Sequence, residues 1–467
     1  MERNTKRIIA IVAILVIAGA GIGVGVWFLL TPPASVYVTP GVSGIPDNRI
    51  IKVGLLGGIT DIQGKGNYEG AWLAAYNINT AGGVQVNGTT YYIGLVSEDT
   101  DESNPVLDVT KGVSAAEKIL AVDGAQYIVG GFRTEALKAY LEVVMDAKKL
   151  FLGTGASTDY FCYNVYGAAY SSYSRYKYWF RVMPINSTSL GSETIREILY
   201  LAGYMSDPLV LNKTIHKVAI IREALDWTIP MDTALNDVLP LYGFTITNDI
   251  AYPITATATD FATYWNQIEA AGAQITIPII SAQGGIYMMT QYAALHPQCL
   301  IAGIDVQSQL DTFWGDTTGD CAYEIIMQSV LRTNKSALTV AFWDDFVATY
   351  NHEPLYTAVG AYDAVNLIAE AINATGSFRT QEIIPYIESF TKASPQAGAS
   401  VTAPYSAWNK AHDVSEGYPY GFTLFCQWKP DSTKDCISAP LVYPDVGLYG
   451  NIVTGGIALP PWGINDP

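Results

Sequence analysis

Tyr127-Ile128-Val129-Gly130-Gly131-Phe132-Arg133-Thr134-Glu135-Ala136-Leu137 holds a strand, a turn and the start of a helix in eleven residues. An apolar run too short for a helix stops at two glycines. A hydroxyl residue, Thr134, then opens a segment with helical spacing of apolar residues over Glu135–Ala147. Leu150–Leu152 is the next short apolar run, so the order is strand, helix, strand. Moving outward, Ile51–Leu56 reads as a strand, and Tyr68, Ala71, Ala75 and Ile78 recur at helical spacing before Gly82-Gly83. Tyr91–Val96 reads as a strand and Val106–Leu120 as a helix. Strands alternating with helices imply a mostly parallel sheet covered on both faces.

The pattern then restarts. Val218–Ile221, Thr245–Ile250, Ile275–Ile280 and Leu300–Ile304 read as strands, with helices near Met231–Leu241, Phe261–Ala271 and Ile286–Leu295. The fold class is α/β, with two doubly wound parallel-sheet lobes. Ligands bind beyond the carboxyl ends of strands in such sheets, so two facing lobes make a cleft.

Composition narrows the function classes. The 467 residues carry 26 basic and 43 acidic side chains, a formal net charge of −17. Nucleic acid is excluded as a partner, because neutralising phosphates needs a basic face. Before the first lobe, Arg3, Lys6 and Arg7 precede an uncharged run from Ile8 to Leu30. That run is long enough to cross a bilayer as a helix, which takes roughly 20 residues. Basic residues on its N-terminal side place residues 1–7 in the cytoplasm and the body outside. The expectation is a single-pass anchor over 8–30 in the cell membrane, with the C-terminal body periplasmic or extracellular. Cleavage after Ala18–Ala20 is the alternative. Residues 31–48, rich in Pro and Gly, read as a linker.

Sequons at Asn87, Asn186, Asn212, Asn334 and Asn373 become glycosylation acceptors in an exported chain. Five cysteines lack metal-ligand spacing. Cys426 and Cys436 flank the turn-rich Lys429-Pro430-Asp431-Ser432 and could close a hairpin. Cys299 with Cys321 is the next pair by proximity, leaving Cys162; the alternative is five free thiols.

Catalytic patterns are missing. The sequence has no GxSxG elbow and no GxxxxGK[ST] loop, and its four histidines are scattered. No enzyme, cofactor or metal site is expected. What remains is two strand-end loops bearing hydroxyls, 130–134 and 153–158. Free N–H groups at a helix start favour a carboxylate. Thr134 and Ser157 read equally as ordinary caps.

These loops belong to a wider resemblance. Ile51-Lys52-Val53-Gly54, Glu69-Gly70-Ala71, Ile78-Asn79-Thr80-Ala81-Gly82-Gly83-Val84, Glu98-Asp99-Thr100, Val129-Gly130-Gly131 and Gly155-Ala156-Ser157-Thr158 occur in order. Tyr178-Trp179-Phe180-Arg181-Val182-Met183-Pro184, Asp260-Phe261 and Tyr362-Asp363-Ala364-Val365 follow. From about residue 50 to 390 the chain resembles type 1 periplasmic binding proteins, in particular the branched-chain amino-acid and amide-binding family of ABC-transporter receptors.

The resemblance implies a multi-strand hinge between the lobes, with residues 49–182 and 333–394 in lobe 1 and 183–332 and 395–467 in lobe 2. It implies a solute-binding protein that captures an amino-acid- or amide-like ligand and presents it to ABC permease subunits. A sensing ectodomain, or an adhesion or structural protein on the same fold, is the alternative. In lobe 1, Thr134 on one loop and Ser157 on the loop that includes Ala156 would take the ligand carboxylate. Gly155 would offer its carbonyl to the ammonium, and Gln63 would lie on the first loop. In lobe 2, Asp305 would pair with the ammonium, and Trp227 and Gln283 would be walls.

The sequence departs from the family at Arg133, which either pairs a second acidic group or points to solvent. It departs also at the segment 160–176, whose seven aromatics either cover the cleft or recognise a partner, or pack as a surface excursion. Both leave the ligand's identity open.

Overall fold

The computed structural model describes residues 37–163, 173–281, 284–397, 400–444 and 452–466. The expected membrane segment, Gln283 and much of the tyrosine-rich stretch lie outside the described residues. Among those described, no helix is long and apolar enough to cross a membrane.

The first sheet is built from β1 (Ile50–Gly57), α1 (Ile62–Thr80), β2 (Val84–Val86), β3 (Thr89–Asp99), α2 (Val109–Ala121), β4 (Tyr127–Gly130), α3 (Thr134–Asp146), β5 (Phe151–Gly153) and β6 (Trp179–Arg181). Its order is β2-β3-β1-β4-β5-β6, parallel throughout except β2 against β3. Strands buried on both faces must be apolar on both. Accordingly Val53, Leu55, Leu56, Tyr127, Ile128 and Val129 are all nearly inaccessible.

The chain crosses into α4 (Ser187–Ser206), then runs through β7 (Lys217–Glu223), α5 (Thr228–Val238), β8 (Thr245–Tyr252), α6 (Ala258–Ala271), β9 (Ile275–Ile280), α7 (Gly285–Leu295), β10 (Leu300–Asp305) and β11 (Ile325–Gln328). It returns to the first lobe as α8 (Thr339–Tyr350), α9 (Tyr356–Thr375) and α10 (Thr380–Glu388). It crosses once more into β12 (Leu424–Trp428) and β13 (Lys434–Cys436). The second sheet is ordered β13-β12-β11-β10-β9-β7-β8, and only its last two strands are antiparallel additions. Two α/β lobes with parallel-dominated sheets are therefore present, and the chain passes between them three times.

Several boundaries differ from the sequence reading for physical reasons. Helix α1 starts at Ile62 rather than near Tyr68. Asp61 caps it, accepting from the Gly64 N–H at 2.6 Å. Glycines at 64 and 66 look like helix breakers, but they allow close approach. A Cβ on Gly64 would lie 2.0 Å from the Gly58 carbonyl oxygen.

Residues 37–48 are not a free spacer. Val38 exchanges main-chain hydrogen bonds with Leu95 at 2.9 and 2.8 Å, and Asn79 donates to the Pro40 carbonyl at 2.8 Å. Residues 400–416, expected in the second lobe, bond to the first. Val401 and Thr402 donate main-chain N–H groups to Asp363 in α9, and Asp413 pairs with Arg181 in β6.

All five cysteines are buried free thiols. Neither expected disulfide is formed, although Cys426 and Cys436 face each other directly in the β12–β13 register. Of the sequons, Asn186 is a correction. Its side chain is 3 % exposed and caps α4, accepting from the Ser189 N–H at 3.0 Å, so it is no surface acceptor. Asn87, Asn212, Asn334 and Asn373 are exposed.

Candidate functional site

Strand order places the site. In the first sheet the connections reverse direction between β1 and β4. In the second they reverse between β7 and β9. Crevices form at such switch points, beyond the strand ends. Gln63, expected on the loop after β1, sits in the first turn of α1; the loop after β4 carries Arg133, and those after β7 and β9 carry Trp227 and Ser281. A cavity between the two lobes lies beside these loops.

Lobe 1 contributes Phe132 and Arg133 from one loop, Gly155 and Ser157 from the next, and Tyr356 from the start of α9. Ile185 and Leu190 close the hinge side. Lobe 2 contributes Leu225, Trp227, Ile304, Val306 and Met327, with a polar edge of Ser281, Gln309, Gln328 and Ser329. The wall is therefore largely apolar. Among its described residues Arg133 is the one charged group.

The glycines after β4 are conformationally required. Gly130 and Gly131 have φ of +130° and +80°, and a Cβ on Gly130 would lie 2.1 Å from the Leu56 carbonyl oxygen. The loop they form does not leave its amides free. Phe132 and Arg133 donate main-chain N–H groups to Glu102 Oε2 at 3.4 and 3.0 Å, and the Tyr140 hydroxyl donates to the same oxygen at 3.1 Å. An internal carboxyl thus occupies the donors expected to greet a ligand carboxylate. Burial, with Asp61 nearby, pushes the Glu102 carboxyl up to about 7.

The expected residues divide into two sets. Arg133, Gly155, Ser157 and Trp227 line the cavity. Arg133 does not point to solvent; it donates to Glu135 at 3.3 Å and to the Asn104 carbonyl at 2.9 Å. Gly155 presents its carbonyl to the Tyr356 hydroxyl at 3.2 Å. Gln63 is buried and donates Nε2 across the cleft to the Ser281 carbonyl at 2.7 Å.

Thr134, Ala156 and Asp305 are buried behind the wall. Thr134 Oγ1 has no partner among the described residues. The Ala156 carbonyl accepts from Arg181 at 3.2 Å. Asp305 is fully buried and turned toward α7, where a Cβ on Gly285 would lie 2.2 Å from its Oδ2. Burial raises its carboxyl to about 7, and Glu223 adds to the effect.

The loop 155–158 is held from below. Arg181 donates to the carbonyls of Ala156, Ser157 and Thr158 and forms a two-point pair with Asp413 at 2.8 and 2.5 Å. Further contacts join the lobes. Lys138 meets Asp226 at 2.8 Å, and Glu135 accepts from the Asp226 N–H at 3.1 Å.

A family model described as periplasmic binding protein matches residues 51–412. The chain belongs to the periplasmic binding protein family. No curated protein matched the sequence. Among solved structures, this periplasmic binding protein is similar to the branched-chain amino acid transporter substrate-binding protein LivJ from Streptococcus pneumoniae, in complex with isoleucine. The identity is 19 %, with 82 % of this chain and 97 % of that one covered, at a TM-score of 0.63. An ABC transporter substrate-binding protein from Desulfitobacterium hafniense, in complex with Leu, shares 17 % identity over 83 % and 99 % of the chains, TM-score 0.62. A solute-binding protein from R. palustris, in complex with benzoate, shares 16 % identity over 81 % and 93 %, TM-score 0.62. At these identities the likeness is one of fold.

Sequence reading missed Gln309, Gln328 and Ser329. For Gln328 and Ser329 the signal was the apolar run Ile325-Ile326-Met327, a fifth parallel strand of the second lobe ending in two polar residues; Gln309 lies in the turn after β10.

Proposed function

We propose that this periplasmic binding protein captures a small organic solute between its lobes and presents the closed form to an ABC-type permease. The observation that carries the reading is the largely apolar cavity enclosed by strand-end loops from both lobes, with Gln63 bonded across it to Ser281. Closure over a ligand would displace water from that wall and strengthen each hydrogen bond to the ligand. Three chain crossings allow hinge closure while each lobe keeps its own sheet. The fold neighbours bind isoleucine, leucine and benzoate, all small carboxylates with apolar bodies.

The uncharged run Ile8–Leu30, with Arg3, Lys6 and Arg7 before it, supports a membrane anchor that leaves the body outside the cell. Anchoring would keep the body near its permease and raise the effective concentration.

Thermal melting of the purified full chain against a solute pool tests capture. A ligand that binds only the native state raises the melting temperature in proportion to its occupancy. Pools of amino acids, amides and aromatic acids should contain at least one that raises it by several degrees. A flat response with a cooperative melt would overturn the proposal.

A further inference from the structure

We infer that the lobe-2 edge of the cavity, formed by Gln328, Ser329 and Gln309, reads an uncharged hydrogen-bonding group on the ligand, so that the captured solute has an apolar body and no ammonium. The inference rests on the capture reading and narrows it.

Three observations carry it. First, Gln328 lines the cavity at 2 % exposure, and neither its Oε1 nor its Nε2 has a hydrogen-bond partner among the described residues. Ser329 Oγ and Gln309 Oε1 are likewise unpartnered there, at 3 % and 5 % exposure. Gln309 is fixed in orientation, because its Nε2 donates to the Met327 carbonyl at 3.1 Å. Buried polar atoms are normally paired, and several unpaired ones on neighbouring residues of one cavity wall mark a site that a ligand completes.

Second, the inventory is that of neutral recognition. Gln328 offers two donors and an acceptor, Gln309 an acceptor, and Ser329 either. A carboxamide or hydroxyl supplies the complementary donors and acceptor without carrying charge.

Third, nothing described on the wall balances a buried ammonium. Asp305 is turned away toward α7. Glu223 Oε2 already accepts from Ser281 N–H and Oγ at 2.9 and 2.6 Å. The Gly155 carbonyl faces Tyr356. A buried charge without a counter-charge is strongly disfavoured. The one wall cation, Arg133, is already paired with Glu135, so a neutral ligand also leaves the cavity balanced.

Titration calorimetry on the full chain tests this with four probes that share an isobutyl body: isocaproamide, isocaproate, leucine and isoamylamine. Isocaproamide should bind at least tenfold more tightly than leucine and isoamylamine. Gln328→Leu should weaken isocaproamide at least tenfold, because a site built to hydrogen-bond a group suffers when one side is removed. Gln328→Glu should narrow or reverse the preference against isoamylamine. Ser329→Ala serves as the milder variant should either Gln328 substitution fail to melt cooperatively; it should weaken isocaproamide severalfold.

Leucine or isoamylamine binding as tightly as isocaproamide would overturn this inference while leaving solute capture standing. Equal affinities in wild type and in the folded variants would do the same. Binding of none of the four probes, together with a flat solute pool, would overturn both.

Discussion

The side-chain amide of Gln63, in the first turn of α1, donates to the main-chain carbonyl of Ser281 on the opposite lobe at 2.7 Å. The two residues are 218 positions apart and each follows a strand beside its sheet's switch point. Gln63 thus acts as a clasp on the closed cleft. It is placed by the close packing that Gly64 and Gly66 permit.

Gln63→Ala removes one buried neutral hydrogen bond, worth about 1 kcal/mol net. Affinity for a captured solute should fall roughly fivefold, as expected for that energy. Calorimetry reads the affinity, and small-angle scattering of the unliganded chain should show a larger radius of gyration.

Glu102 gives a pH prediction. Its carboxyl is raised by burial to about 7 from an ordinary value of 4.5. A raised acid stabilises the fold below its unfolded pKa and loses that contribution as pH rises through the folded value. Between pH 4.5 and 7.5, wild type should therefore lose about 3 kcal/mol through this group. Glu102→Gln keeps an acceptor for the Arg133 N–H and removes the titration. Urea unfolding should show the variant gaining on wild type as pH rises through this window.

The Arg181–Asp413 pair is fully buried, at 1 % side-chain exposure on each partner. Removing one partner strands the other charge. Asp413→Ala should cost about 3–5 kcal/mol by urea unfolding. Arg181 also supports three carbonyls of the 155–158 loop, so the folded fraction should bind solute more weakly as well.

Most of the fold was legible in the sequence because parallel strands buried on both faces are short apolar runs. Ile51–Leu56 and Tyr127–Val129 needed no tertiary information. The site was legible only by lobe. Strand ends located Arg133, Ser157 and Trp227, whereas the direction of a side chain at a strand end depends on the neighbouring helix. That is why Asp305, at the end of β10, faces Gly285 and not the cavity. Glu102 was invisible for a related reason: its claim on the Phe132 and Arg133 amides depends on a contact 30 residues away.

The five buried thiols give a simple chemical check. Burial raises Cys162, Cys299, Cys321 and Cys426 above the ordinary thiol range, so they are poor nucleophiles in the native state. A thiol-specific chromogenic reagent should react with fewer than one group per folded chain and with all five after unfolding.

Capture between the lobes is tested most directly by titration calorimetry of a solute found in the melting screen, on wild type and on Trp227→Ala. Trp227 supplies lobe-2 wall to the cavity and does not hold the first lobe together. One-to-one binding that weakens at least tenfold in a cooperatively folded Trp227→Ala is the predicted result. Unchanged affinity in that variant would place the solute outside this cleft.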